Sequence, residues 1–322
     1  MKKSFLVLLA LVFAVSVFAG NVNTQYENYD LAPGVIPQNV PQTDPMWDLQ
    51  YQYSIETASG DNGLLGIEYD WNADEIWISG RSSGGNKIYR VNSVTGVLLG
   101  NFLTGTSSAW GVRDMCHDAS FIYGGEDSGL LCFDPITHTP LMTLPWPAGM
   151  SFPRANTYDP DTDPFYGGNF GTTCYEMTRQ GTLVRSFAPA PLTAVYGMAW
   201  DDVAPDGPWL WIIDQTNPAS GCNFHKMNPA TLTYTGEIHV LTPPLSVGAI
   251  SGGGEHIVGL DPQYSSFLSF GQGTPDVGAA WEGYLMGPPP PPLGCRCSID
   301  PGGFTNRDPG FRWKFQLQYC CN

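Results

Sequence analysis

Arginine and aromatic side chains recur at one position of this 322-residue sequence and offer the chemistry of a binding site. Arg113, Arg154 and Tyr196 each lie five residues before an aspartate that begins a turn. Asp114 follows the first of them directly, and Trp110 precedes it by three residues. Guanidinium forks and aromatic faces suit a carboxylate or a sugar. We therefore predict a ligand-binding site, provided that these positions meet in space.

Two other interpretations of the same residues stay open. In the first, Arg113 pairs with Asp114 or Glu68 and neutralises an acidic channel. In the second, these groups and Arg154 are acid/base and anchoring residues of an extracellular enzyme, of lyase, hydrolase or cyclotransferase type, that acts on a carbohydrate or a peptide end. The sequence has no catalytic triad, metal-ligand spacing or cofactor fingerprint, so we favour a binding module without catalysis.

Alternating carboxylates at Asp159, Asp161 and Asp163 resemble the start of a calcium loop. An EF-hand loop needs glycine at its sixth position and glutamate at its twelfth, but Pro164 and Phe170 stand there. Aspartates also close turns by accepting nearby backbone N–H groups. We predict a turn and no cofactor, with a calcium site as the alternative.

Two other sets of residues indicate structural roles rather than a catalytic or metal-binding site. Residues 80–84 match G-x-S-x-G, but the segment lies between two predicted strands, whereas a nucleophile elbow needs a strand–turn–helix. The five histidines are scattered without metal-ligand spacing. We interpret His117 as a core-packing side chain.

These positions belong to a repeat of short strands and turns. Residues 64–102 contain one complete unit of this repeat. We anchor it on the first-turn aspartate of each unit and, in the last unit, on a glycine chosen by strand spacing: Asp70, Asp118, Asp159, Asp201 and Gly253. A period of about 40–50 residues with four strands is typical of a β-propeller. We predict an all-β, five-bladed β-propeller over residues 50–286. A six-bladed ring that uses Ala280–Met286 is the alternative.

The units also predict how the ring is built. The residue four positions before each anchor is small in four of five units, as inner strands crowded round a channel require. The fifth unit lacks a fourth strand, and an extra strand at Gln50–Glu56 precedes the first unit. We expect that strand to complete the fifth blade, because closure leaves no open sheet edge. Most of the ten tryptophans are expected to pack blade on blade.

The N-terminal sequence and the net charge limit where the protein is located and which partners it can bind. Lys2 and Lys3, an apolar run and a small-residue cleavage site predict a signal peptide at 1–19, followed by a linker or arm at 20–49. We therefore expect a secreted or cell-surface protein. The net charge of −16 becomes −18 without the signal peptide, which excludes nucleic acid as a favoured partner. No later run is apolar enough to insert in a membrane. A carbohydrate, a peptide or a surface protein remains as the partner of an expected monomer.

Eight cysteines fall into two groups, and export permits disulfides. Four lie within the repeats and allow three pairings, between which the sequence does not choose. The other four lie in the tail, residues 295–322, after a proline-rich spacer at 287–294. The tail starts like an Ig-like module and ends early, which suggests truncation or a shifted reading frame.

The repeat also resembles a known group of proteins. GIEYD at 66–70 and GMAWD at 197–201 start two units, and YRVNSVTG at 89–96 continues the first. Over about residues 50–270 the sequence is similar to secreted bacterial β-propellers of the NHL/YVTN and glutaminyl-cyclase-like type. The resemblance implies the fold and export. No catalytic residue of the cyclase subgroup matches a position here.

Overall fold

A computed structural model of the chain describes residues 46–82, 84–150, 153–215, 222–241 and 250–286. These residues form five antiparallel sheets arranged as a five-bladed β-propeller, as the repeat predicts. One four-residue helix, α1 (Glu56–Ser59), interrupts the strands of the described chain. The predicted signal peptide, the arm up to residue 45, the proline-rich spacer and the tail lie outside the described residues.

Four blades each use four consecutive strands, with the first strand innermost. The first blade contains β2 (Ile67–Asp70), β3 (Glu75–Ser82), β4 (Gly85–Asn92) and β5 (Leu98–Leu103). The second contains β6 (Met115–His117), β7 (Ile122–Gly125), β8 (Gly129–Asp134) and β9 (Thr139–Pro145). The third contains β10 (Ala155–Tyr158), β11 (Phe165–Gly168), β12 (Cys174–Met177) and β13 (Leu183–Phe187). The fourth contains β14 (Val195–Asp201), β15 (Trp209–Asp214), β16 (Asn223–Asn228) and β17 (Thr233–Val240).

The fifth blade joins both ends of the described chain, as expected. Its inner strand is split into β18 (Ile250–Ser251) and β19 (His256–Ile257), which both pair with β20 (Tyr264–Gln272). β21 (Val277–Leu285) follows, and β1 (Leu49–Tyr53) is the outermost strand. The six-bladed alternative is wrong, because residues 280–285 belong to β21 and leave no separate strand for another blade.

The anchor proposed for the fifth unit is wrong by four residues. In the first blade, Leu65 N donates to Ser79 O and Ser79 N donates to Gly66 O. In the fifth, Gly252 N donates to Phe270 O and Phe270 N donates to Gly253 O. Gly253 therefore corresponds to Gly66, four residues before the aspartate anchor.

The corrected register makes Ile257 the counterpart of Asp70 in the fifth blade. Val258 lies in an exposed bend after β19, and the second strand of this blade is β20. The fifth blade lacks the turn aspartate that marks the others, so spacing alone misplaced it.

Small residues do face a crowded channel, as predicted. A Cβ atom at Gly66 would lie 2.9 Å from the carbonyl oxygen of Arg113 in the next blade. Between the blades, large aromatic side chains fill the space. Trp77 and Trp211 are completely buried, and the Trp47 ring lies 5.3 Å from that of Trp211. Trp47 thereby fastens the segment before β1 to the fourth blade.

The four cysteines of the propeller are free thiols buried in the described structure. Disulfide pairing among them, which export permitted, does not form. Cys116 and Cys132 share a blade, but Tyr123 stands between them in the register of three neighbouring strands. Two strand spacings of about 4.8 Å exceed the reach of a disulfide.

Within the described residues, no helix has the length and apolarity to cross a membrane.

Candidate functional site

One mouth of the channel brings together four of the predicted site residues. The residues that start the five inner strands surround this mouth, and a cavity of about 110 Å³ opens there. We call it the arginine mouth. Its lining includes Leu65, Trp110, Arg113, Arg154, Phe170 and Tyr196. Positions matched by the repeat count are therefore neighbours in space.

Arg154 is enclosed by aromatic rings and forms no salt bridge among the described residues. Its Cζ lies 4.0 Å from the ring centre of Phe170, 5.5 Å from that of Tyr196 and 5.6 Å from that of Trp110. Its Nε is buried without a hydrogen bond. Burial, and then the charge of Arg113, lower the pKa of Arg154. An anion that paired with this guanidinium would relieve both effects.

Arg113 has a structural role beside it. The side chain is 4% exposed, and its Nη2 lies 2.6 Å from Asp127 Oδ1. Its Nη1 donates to the carbonyl oxygen of Pro153 at 3.2 Å, which links the second blade to the third. The predicted pairing of Arg113 with Asp114 or Glu68 is therefore wrong, since a loop carboxylate that the strand pattern does not reveal takes the guanidinium.

Asp114 is completely buried and plugs the channel below the arginine mouth. Its Oδ1 accepts the backbone N–H groups of Met115 at 3.1 Å and Gly254 at 2.9 Å. Its Oδ2 accepts those of Asn156 at 2.8 Å and Met198 at 3.1 Å. One carboxylate thus ties together the second, third, fourth and fifth blades. Asp114 is a structural residue and does not line the ligand cavity.

Glu68 does not belong to the arginine mouth, so this part of the predicted site is wrong. It lies three residues further along its inner strand than Leu65, about 10 Å away at the spacing of an extended chain. Its Oε1 accepts Tyr69 N at 2.6 Å and lies 3.3 Å from His117 Nδ1. The carboxylates of Asp114 and Glu68, which the enzymatic interpretation requires, are not assembled across a pocket at this mouth.

The opposite mouth holds a larger cavity of about 340 Å³. The residue before the anchor carries a ring in all five blades, and we call this end the ring mouth. Its members are Tyr69, His117, Tyr158, Trp200 and His256. From the sequence, His117 and most of the tryptophans were expected to pack inside the propeller, and the register error in the fifth unit hid His256. The interpretation of His117 as a core side chain is wrong, because its side chain is 30% exposed in the cavity.

Carboxylates lie at the base of the ring mouth. Glu255 lines the cavity, is 4% exposed, and its Oε1 accepts Trp200 N at 3.2 Å and His256 N at 3.0 Å. Burial, and then the charge of Glu68, raise the pKa of Glu255 well above its ordinary value. Burial opposes protonation of His117, but Glu68 outweighs it and raises the pKa of the imidazole. Carboxyl groups are therefore clustered beneath the rings, and one of them is paired with His117.

A third cluster joins Asp70, Glu75 and His138, whose ligand atoms lie within 4.8 Å of one another. Burial raises the pKa of Asp70 to about 6. Both oxygens of Glu75 accept hydrogen bonds from Arg90 at 2.6 Å. A cation would compete with this guanidinium, so we assign the trio a structural role at the contact between the first two blades. The strand pattern does not indicate this cluster, because His138 comes from a turn of the neighbouring blade.

Two of the three aspartates of the calcium alternative, Asp159 and Asp163, are occupied by protein groups. Asp159 Oδ1 accepts Asp161 N at 2.8 Å, and its Oδ2 accepts the Thr162 hydroxyl at 2.6 Å. Asp163 pairs with Arg179. We therefore expect calorimetric titration with Ca²⁺ to give no binding heat. Saturable heat that disappears in Asp161→Asn would establish the calcium site instead.

Comparisons with known proteins add little to this geometry. No family model matches the chain, and no curated protein matches it significantly in sequence. A chain from the crystal structure of a nidogen/laminin complex is similar in structure, with a TM-score of 0.42 and 14% sequence identity. The alignment covers 65% of this chain and 76% of that one. The class of the protein follows from its own sheets: a five-bladed β-propeller with a cavity at each mouth of its channel.

Proposed function

We propose that this chain is an extracellular binding module, without catalysis, that holds a carboxylate group of its ligand at the arginine mouth. The observation that carries the proposal is Arg154, a half-buried guanidinium among three aromatic rings that forms no salt bridge within the described chain. Desolvating a cation without a counter-charge is unfavourable, so the site is complementary to an anion. Export is proposed from the N-terminal sequence alone.

The size and surroundings of the cavity define the ligand group further. A volume of about 110 Å³ is smaller than the range for whole small-molecule ligands, so only a terminal group enters. A carboxylate is planar and matches the guanidinium fork. Trp110, which is 37% exposed, offers a surface for the rest of the ligand. Arg81 stacks on Trp110 at 4.0 Å and adds a second positive charge. The carboxylate can come from a peptide or from an acidic sugar.

We expect Arg154→Ala to weaken carboxylate binding by about 10–100-fold, the worth of one charge-assisted hydrogen-bonded contact. The measurement is a binding array that pairs free-acid peptides with their C-terminal amides, and uronic acids with the neutral sugars. Hits in the peptide arm or the sugar arm identify the source of the carboxylate. Arg154→Lys should retain part of the affinity, because a point charge replaces the fork.

Lys87→Ala is the matched control, since it removes one positive charge from a partly exposed side chain outside the cavity. It should bind as the wild type does. Arg113 is unsuitable for this test because its loss would break contacts with Asp127 and Pro153. Amide and acid probes that bind equally, or an Arg154→Ala variant that folds normally and keeps full affinity, would refute the proposal.

A further inference from the structure

The ring mouth has a composition that the arginine mouth lacks. At equivalent positions of five blades, the chain places two tyrosines, a tryptophan and two histidines around one cavity of about 340 Å³. A sixth ring, Trp71, lies 4.8 Å from that of His117 and also lines the cavity. The volume falls in the range of small-molecule sites. Aromatic faces carry negative charge density and attract cations.

The acidic side chains of the ring mouth have the same sign of charge as the ring faces, and the imidazole of His117 is already paired with Glu68 at 3.3 Å. Glu255 and Asp202 line the cavity, whereas no lysine or arginine of the described chain does. Asp118 also lines it but is held by Arg179 at 2.6 Å. Below the cavity, Glu68 is completely buried, and its Oε2 has no hydrogen bond among the described residues.

Glu255 also lies within the electrostatic reach of the buried Glu68. After burial, the charge of Glu68 is the next cause that raises the pKa of Glu255, because repulsion disfavours the ionised form of Glu255. A positive charge above Glu255 would stabilise the ionised form of this residue. The ring mouth is thus the complement of a cation, at the opposite end of the channel from the unpaired Arg154.

We propose that the ring mouth binds an organic ammonium group, with the aromatic rings around the cation and Glu255 beneath it. A rim of rings suits a weakly hydrated, bulky cation better than a small metal ion, which needs several oxygen ligands. A neutral sugar could stack on the same rings, but it would leave the negative charge of the mouth uncompensated. This site is independent of the function proposed for the arginine mouth.

The test uses choline and its uncharged isostere 3,3-dimethylbutan-1-ol as probes, with the full chain and calorimetry. Choline should bind at least about tenfold more tightly than the isostere, because the shape is shared and the charge is not. Trp71→Ala and Glu255→Gln should each weaken choline binding by about tenfold or more. Glu255→Gln keeps an oxygen that can accept the backbone N–H groups, which limits damage to the fold.

Trp110→Ala is the matched control, as it removes a tryptophan from the arginine mouth and should leave choline binding unchanged. Thermal melts of each variant identify any that fail to fold, and in that case Trp71→Phe, with a smaller ring, should give an intermediate affinity. Equal binding of choline and its isostere, a neutral sugar that binds where choline does not, or the absence of choline binding at about 10 mM would overturn the proposal.

Discussion

Replacing Asp114 by alanine is expected to lower the free energy of unfolding by about 4 kcal/mol or more, the largest effect we expect of any single substitution in this chain. The carboxylate accepts backbone N–H groups from four blades. Alanine leaves four buried donors unsatisfied, and each costs about 1–3 kcal/mol. For a chain of this size the loss corresponds to a fall in Tm of about 10 °C.

The substitution Asp114→Asn tests what one of the two carboxylate oxygens contributes to stability. The amide retains one acceptor, which serves two of the four N–H groups, and turns an NH₂ group toward the other two. We expect about half of the alanine effect, measured as Tm by differential scanning calorimetry. Asp48→Ala, at an exposed position, is the control and should change stability by less than about 0.5 kcal/mol. An Asp114→Ala variant with the Tm of the wild type would show that the channel plug is dispensable.

Removing β1 is expected to abolish cooperative unfolding of the propeller. A chain that begins at residue 56 loses the outer strand of the fifth blade together with Tyr53 and Ile55, each 1% exposed. Burial of each large apolar side chain contributes about 1.5–3 kcal/mol, and the hydrogen bond from the Tyr53 hydroxyl to Ser93 O is lost as well. The sum approaches the whole stability of a typical domain.

A chain that begins at residue 46 is the matched control, because it retains β1 and Trp47. It should melt in a single transition, followed by near-ultraviolet circular dichroism. The shorter chain should aggregate through the bare edge of β21, and a peptide of residues 46–55 should restore the transition by adding the missing strand. Equal, cooperative melts of both chains would contradict the closure that the structure shows.

The strand pattern predicted the fold because its signals are local. Alternating residues and turn aspartates such as Asp70 and Asp201 define each blade within its own segment. The five-blade count and the use of β1 followed from one missing strand and one extra strand. The meeting of Arg113 with Arg154 followed in turn, since equivalent positions in a closed ring must be neighbours.

Other features depend on contacts that no local pattern encodes. Arg113 pairs with Asp127 because a loop places that carboxylate 2.6 Å from the guanidinium. The predicted register of the fifth blade was wrong because Gly252 and Gly253 interrupt the inner strand and Ile257 replaces the turn aspartate. This error moved His256 away from its equivalent position, so the pattern did not reveal that all five blades carry a ring there.

The pairing of β1 with β21 has a topological consequence. Trp47 N donates to Glu282 O at 2.7 Å, so the two boundaries of the propeller lie side by side on one blade. A short peptide link across this gap would make the polypeptide circular without moving a strand. A circular permutant that starts with a different blade should therefore form the same five-bladed fold. The exposed turn at Thr95 is a suitable place for the new chain ends.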